Sequence, residues 1–311
     1  MKFRKPLFWD YTKPNLISNI LLPLTVFVKL NNILVNNIKK KKNKNIKTIC
    51  IGNIYLGGTG KTPTTITLNK ILKKLSKNIS IGKKFYAKHN DEHMLLRKQV
   101  NLILDDNRQK IIDLAIKKRR EILIFDDGLQ DKNIEYDLKF VCFSADNWVG
   151  NGRLIPAGPL REKIQSLRKY DGVFFNNSNK ENKKAIILIK KINPKIKIFT
   201  TKYKILNLNK FNKKKNYLIF SGIGNPSGFR NILYKNNIKV IKEIIFPDHY
   251  QYNTEDIKDI KKIAKKLNTK IITTEKDYVK ISISDKKNID FLKIDLIIEN
   301  KNKLLNLIKS K

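Results

Sequence analysis

The 311-residue sequence predicts an α/β fold, and three observations carry that expectation. Residues 47–51 form a short apolar run rich in β-branched side chains, a strand signal; a glycine-rich loop follows. Beyond the loop Leu68, Ile71, Leu72 and Leu75 recur at i, i+3, i+4 and i+7, the spacing of one helix face. A second apolar run, 121–125, has a buried-strand pattern and ends in the adjacent carboxylates Asp126 and Asp127. Strand-like and helix-like runs alternate along much of the chain, and its length suits two domains, each with a sizeable core. The expected division is an amino-terminal segment 1–40, a first α/β domain 41–200 and a smaller carboxyl-terminal α/β domain 201–311.

The loop at 54–62 reads Ile-Tyr-Leu-Gly-Gly-Thr-Gly-Lys-Thr and has the chemistry of a nucleotide phosphate cradle. Gly57, Gly58 and Gly60, with Thr59 among them, let the backbone turn so that successive N–H groups point inward. Lys61 adds a cation for the outer phosphates, and the Thr62 hydroxyl can ligate Mg²⁺. The usual G-x-x-x-x-G-K-[ST] spacing would put a glycine at Tyr55, so the pattern rests on the three glycines, Lys61 and Thr62. Pro63 suits the first helical turn, whose N–H groups have no intrahelical partner. The competing reading is a glycine turn with a surface lysine. In a parallel sheet the carboxyl ends of strands line the ligand crevice, so Asp126 and Asp127 are expected to face the loop and hold Mg²⁺ directly or through water. A turn or helix cap is their alternative role.

The formal net charge of +39 points ordinarily to nucleic acid or an anionic membrane. Lysine, asparagine and isoleucine are abundant in every part of the chain, however, so compositional bias competes with either partner as the source of that charge. Cys50 and Cys142 lie in apolar strand-like runs without metal or redox spacing, which predicts buried, reduced thiols. His89 and His93 are four apart with no further ligand cluster. Near the amino terminus, Phe8, Trp9 and Tyr11 precede an apolar segment from Ile17 to Leu30, interrupted by Pro23 and Lys29. It falls short of a bilayer span and predicts a helix lying in the membrane interface, with packing on the domain's own core as the alternative.

A third stretch, 150–162, is dense in glycine, proline and charge: Gly-Asn-Gly-Arg-Leu-Ile-Pro-Ala-Gly-Pro-Leu-Arg-Glu. With Gly52-Asn53, Asn90-Asp91-Glu92, Asp126-Asp127-Gly128-Leu129-Gln130, Gly222-Ile223-Gly224-Asn225-Pro226, Asp248-His249 and Thr274-Glu275-Lys276-Asp277, it makes the chain resemble the tetraacyldisaccharide 4′-kinases, the lipid A kinases of Gram-negative bacteria. The resemblance implies a P-loop NTPase-like α/β/α sandwich with a second, smaller α/β domain, a cleft between them and a short β-linker. It implies transfer of the ATP γ-phosphoryl group to the 4′-hydroxyl of a tetraacylated glucosamine disaccharide 1-phosphate, with Mg²⁺, at the cytoplasmic face of the inner membrane. Asp91 and His249 match the family's catalytic acid–histidine pair across the cleft, Asp91 as proton acceptor and His249 orienting it. Gln130, Arg161 and Glu162 are further site residues. A different P-loop ATPase, acting on nucleic acid, is the alternative function; it leaves the 151–162 signature unexplained, and no nucleic-acid partner is expected.

Three positions depart from the family pattern. Lys83-Lys84-Phe85-Tyr86-Ala87 stands where serine-arginine-glycine-tyrosine-glycine is usual, Asp131 replaces a histidine, and His93 replaces a proline.

Overall fold

The computed structural model describes residues 5–76, 78–86, 93, 96–97, 99–176 and 183–311. It divides into two compact units: a larger one of Lys5–Tyr86, Gln99–Lys202 and Leu296–Lys311, and a smaller one whose body is Tyr203–Asp295. After a 3-10 turn at Leu7–Asp10 come α1 (Leu16–Ile20), α2 (Thr25–Asn37), β1 (Lys41–Lys42), β2 (Lys47–Gly52), α3 (Lys61–Leu72), β3 (Ile79–Lys84) and β4 (Leu102–Asp105). The chain continues through α4 (Arg108–Lys117), β5 (Ile122–Asp126), β6 (Ile134–Glu135), β7 (Leu138–Ser144), β8 (Gly172–Asn176), α5 (Lys183–Ile192) and β9 (Lys197–Ile205). Next are β10 (Asn216–Ser221), α6 (Pro226–Lys235), β11 (Lys239–Ile245), α7 (Thr254–Lys266), β12 (Lys270–Thr274), α8 (Glu275–Tyr278) and β13 (Ile289–Leu292). The chain ends with β14 (Ile294–Ile298) and α9 (Lys301–Lys309).

The larger unit is built on an eight-stranded sheet in the order β14-β9-β8-β7-β2-β5-β3-β4, and its strands from β9 to β4 are paired in parallel. Strands covered on both faces read as continuous apolar runs. Ile49, Cys50 and Ile51 of β2 are accordingly inaccessible to solvent, as are Phe140, Val141 and Cys142 of β7. From central β2 the chain crosses through α3 to β3 on one side, while β7 lies on the other; this is the switch point at which open α/β sheets bind ligands. The smaller unit has a parallel sheet of order β11-β10-β12-β13.

Helix α3 starts at Gly60, whose φ of 81° is left-handed and therefore favours glycine. Leu68 and Leu72 of the expected stripe are fully buried, but Leu75 is not part of the helix. Its N–H instead closes a turn on the Leu72 carbonyl, and its side chain is half exposed. Besides Ile66, the other buried residues of the helix are polar: Thr64, Thr65, Thr67 and Asn69, with Thr67 donating to the Leu296 carbonyl at 3.1 Å.

That last contact reflects a difference from the expected domain limits. Residues 296–311 belong to the larger unit rather than to a domain 201–311, because β14 forms the sheet edge beside β9 and α9 buries Leu304 and Ile308. Lys47 also donates to the Ile308 carbonyl at 2.8 Å. Residues 5–40 are likewise part of the larger unit.

The amino-terminal turn docks on the 150–162 loop. Trp9 is buried and its indole N–H donates to the Pro156 carbonyl at 2.9 Å, while the Asn151 N–H donates to the Trp9 carbonyl at 3.0 Å. Gly150 and Gly152 are both left-handed, with φ of 57° and 75°. A Cβ on Gly150 would fall 2.0 Å from the Trp9 carbonyl oxygen, whereas one on Gly152 meets nothing within 4 Å. Gly150→Ala is therefore expected to cost about 1–3 kcal/mol more than Gly152→Ala, the overpacking component alone. Thermal unfolding of the two variants measures the difference, and equal transitions would contradict the docking.

Both cysteines are buried free thiols. Burial pushes Cys50 well above the ordinary thiol range and Cys142 up to about 12. A raised pKa leaves the thiol protonated and unreactive at pH 8. Neither cysteine should react with a thiol-specific disulfide reagent in the native protein, and both should react after denaturation. Rapid native reaction of either would contradict this packing.

Candidate active site

The phosphate loop leaves the carboxyl end of β2, and Ile51 of that strand stands opposite Asp126 of β5. The Asn53 amide braces the loop from within, donating to the Gly57 carbonyl at 3.3 Å and to Thr59 Oγ1 at 3.1 Å. From the far side, Asn176 at the end of β8 donates to the Thr59 carbonyl at 2.7 Å. The loop is thus fixed by buried amides, and Lys61 and Thr62 occupy the first two positions of α3, where the helix N-terminus favours negative charge.

Facing these residues are the two acids. Asp126 Oδ2 accepts from Thr62 Oγ1 at 2.9 Å and from the Lys83 ammonium at 2.6 Å. Asp127, at φ 70°, turns its Oδ2 toward Lys61 Nζ at 3.4 Å and Arg161 at 3.6 Å. Burial pushes the Asp127 carboxyl up, but Lys61, Arg161, Arg108 and Lys83 together outweigh it and hold the group below the usual carboxylate range. Its stabilising contribution is therefore complete above the ordinary carboxylate pKa and is lost only as pH falls through the depressed value.

Arg161 donates to Gln130 Oε1 at 3.3 Å, and the Gln130 side-chain amide donates to the Asn53 backbone carbonyl at 3.0 Å and to Glu162 Oε1 at 2.9 Å. The Tyr170 hydroxyl lies 3.0 Å from each Glu162 oxygen. Asp131 pairs with Arg108 at 3.0 Å, and Arg108 donates to the Asp127 carbonyl at the same distance. A carboxylate here, in place of the family's histidine, holds an arginine against the backbone of the acidic pair.

The larger unit thus brings together Gly57, Gly58, Thr59, Gly60, Lys61, Thr62, Asp126, Asp127, Gln130, Arg161 and Glu162. Lys83, Asn176, Arg108 and Tyr170 carry no site role in the sequence reading. The sequence signal for Lys83 is a lysine following the alternating Ile79 and Ile81 of a buried strand, since lysine is almost never buried unless paired. The donor set fits Mg²⁺. The Thr62 hydroxyl and the Asp126 carboxylate, both oxygen donors, are in hydrogen-bond contact, and Asp127 Oδ1 is buried and accepts no hydrogen bond from the described residues. No group of three or more His, Cys, Asp or Glu suited to a metal occurs among the described residues. His89 itself, like Asp91, lies outside the described residues.

In the smaller unit the three remaining motifs meet. The buried Asp277 carboxylate accepts from the Gly222 N–H at 3.0 Å and pairs with Lys280 at 2.8 Å. The His249 N–H donates to the Gly222 carbonyl at 3.2 Å, and the residue is held at φ 60°, sparsely populated for a non-glycine. Lys276 Nζ lies 3.2 Å from Asp248 and 3.4 Å from His249 Nε2. His249 Nε2 also lies 3.8 Å from Asp248 Oδ1, so the ring sits between a carboxylate and an ammonium.

Residues 17–311 match the family described as "Tetraacyldisaccharide-1-P 4′-kinase". The chain belongs to that family. A tetraacyldisaccharide 4′-kinase from Pelagibacter ubique (strain HTCC1062) is 46% identical over 310 residues, 98% of this chain and 97% of that protein. Another from Rickettsia akari (strain Hartford) is 33% identical over 96% of this chain and 95% of its own length. The crystal structure of "apo" form LpxK from Aquifex aeolicus in complex with ATP has the same fold, with a TM-score of 0.68 at 24% identity, covering 95% of this chain and 99% of that one. A P-loop kinase fold with a second α/β unit is thereby established for this family member. The reading as a nucleic-acid ATPase is not favoured.

Proposed function

We propose that the protein transfers the γ-phosphoryl group of ATP to the 4′-hydroxyl of a tetraacylated glucosamine disaccharide 1-phosphate. The observation that carries this reading is the convergence of Lys61, Thr62, Asp126, Asp127 and Arg161 at the β2 switch point, in a chain that belongs to a lipid kinase family. The acceptor oxygen bonds to the γ-phosphorus as the bond to the β,γ-bridging oxygen breaks, and the hydroxyl proton passes to the Asp91 carboxylate. Phosphoryl transfer asks the protein chiefly for positioning and charge neutralisation. The inward amides of residues 57–60 and the Lys61 ammonium bind the phosphates, and Arg161, kept in place by Gln130, adds charge beside them. Mg²⁺, held by Thr62 and the two acids, would supply further neutralisation between the phosphates. His249, set beside Asp248 and Lys276, orients the proton acceptor. Formation of a 1,4′-bisphosphate from the monophosphorylated disaccharide in detergent micelles tests the assignment, and its absence with folded, ATP-binding protein would reject it.

We also propose that α1 and α2 rest on the cytoplasmic face of the inner membrane. No helix among the described residues is long and apolar enough to cross a bilayer. These helices turn polar groups inward: Ser18 donates to the Ala157 carbonyl at 2.6 Å and Asn32 to the Arg161 carbonyl at 2.9 Å. Outward they display Phe27, Leu30 and Leu34, which are 72%, 53% and 66% exposed. Such a surface suits apolar insertion beneath anionic headgroups. Immersing one such side chain contributes about 1.5–3 kcal/mol when burial is complete, so changing all three to serine should weaken vesicle binding at least ~10-fold. Sedimentation with anionic vesicles measures this, and unchanged binding would rule out the interfacial role.

A further inference from the structure

Lys83 occupies a position where the family pattern has serine, and the proposed chemistry gives it no task. Its ammonium sits 2.6 Å from Asp126 Oδ2, with 9% of the lysine side chain and none of the aspartate side chain exposed. Thr62 Oγ1 donates to that same oxygen at 2.9 Å. The oxygen that a divalent cation would share with the threonine hydroxyl therefore already carries a monovalent cation. Lys61 and Arg161 lie against the neighbouring Asp127, so among the described residues Lys61, Lys83 and Arg161 pair with two carboxylates, while Arg108 is paired with Asp131. Without nucleotide, the cluster has an excess of positive charge in a largely buried setting, where charge interactions are screened little.

We infer that Lys83 is a resident counter-ion that bars a divalent cation from Asp126 until nucleotide phosphates arrive, making metal uptake obligatorily nucleotide-linked. A triphosphate in the cradle reverses the sign of the local charge. The lysine stem is long and flexible, so its ammonium can leave Oδ2 for a phosphate oxygen while β3 stays in the sheet. Lys83 is then a positioning residue: it holds the Asp126 carboxylate aimed at Thr62 and sets the order in which ligands enter. The inference rests on the reading of Asp126 as the metal carboxylate.

Mn²⁺ is a suitable probe because its free-ion paramagnetic resonance signal disappears on binding, whether or not turnover occurs. With the full chain and no nucleotide, the signal should persist; a non-hydrolysable ATP analogue should remove one equivalent beyond what the same analogue takes up without protein. Lys83→Met keeps the stem's bulk without the charge, and Lys83→Ser restores the hydroxyl of the family pattern. Each should bind Mn²⁺ without nucleotide at least ~10-fold more tightly than the parent, while Lys83→Arg should behave like the parent. Nucleotide-independent uptake by the parent would overturn the inference even if neither uncharged variant folds. So would a folded Lys83→Met that gains no affinity. If Asp126→Asn leaves the nucleotide-linked uptake intact, it is the metal reading of Asp126 that fails. If Asp126→Asn abolishes that uptake and Lys83→Met gains nothing, the metal reading stands and the role of Lys83 fails.

Discussion

Lys61→Ala is expected to lower phosphoryl transfer by about 10²–10³-fold, the size of effect found when one preorganised group stabilising transition-state charge is removed. The lysine lies at the first position of α3, partly open to solvent, with its ammonium 3.4 Å from Asp127. It fills no core space. Asp127 keeps Arg161 and Arg108 as neighbours when Lys61 is lost, so the fold should survive and the thermal transition should move little. The expected signature is a fall in kcat with a native circular dichroism spectrum. Activity within a factor of two of the parent would remove Lys61 from the phosphate site.

Asp91 and His249 should show the other large effect. A positioned carboxylate acting as general base contributes about 10²–10⁴-fold, so Asp91→Ala should lower kcat by that order with little change in ATP affinity. His249→Ala should also lower kcat, because His249 is held in place: its backbone is strained at φ 60°, and its ring lies 3.4 Å from the Lys276 ammonium. Two residues that act as one unit lose less together than the product of their separate losses. Kinetics of both single variants and the double variant measure this coupling. Strictly multiplicative losses, or near-normal kcat in either single variant, would dissolve the pair.

Local pattern made much of the larger unit legible in the sequence. The apolar β2 run, the glycines of the loop and the carboxylates closing β5 each have a backbone or charge reason to recur at that spacing, and parallel pairing brings Asp126 beside Ile51. Gln130, Arg161 and Glu162 are legible through the family resemblance, Gln130 closing the Asp126-to-Gln130 motif and Arg161-Glu162 closing the 150–162 loop. Lys83 is not, because a chain with lysine in every part hides a buried one. Asn176, which holds the Thr59 carbonyl from the end of β8, belongs to no motif. Residues 296–311 return to the first sheet through a pairing between β14 and β9 that no local periodicity encodes. The amino-terminal run was legible as apolar, but its spacing alone does not say which face the protein covers. The docked face uses Ser18 and Asn32 together with the apolar Val28 and Val35, while Phe27, Leu30 and Leu34 stay open.

The central claim is that this phosphate loop serves an acceptor on a lipid-linked sugar. Incubating the full-length protein with γ-labelled ATP, Mg²⁺ and the tetraacylated disaccharide 1-phosphate in mixed micelles, and locating the new phosphate by ³¹P NMR, tests it most directly. The predicted result is a labelled bisphosphate with the new group at the 4′ position, formed by the parent and lost in Lys61→Ala. ATP hydrolysis without lipid product, stimulated by DNA or RNA, would contradict it.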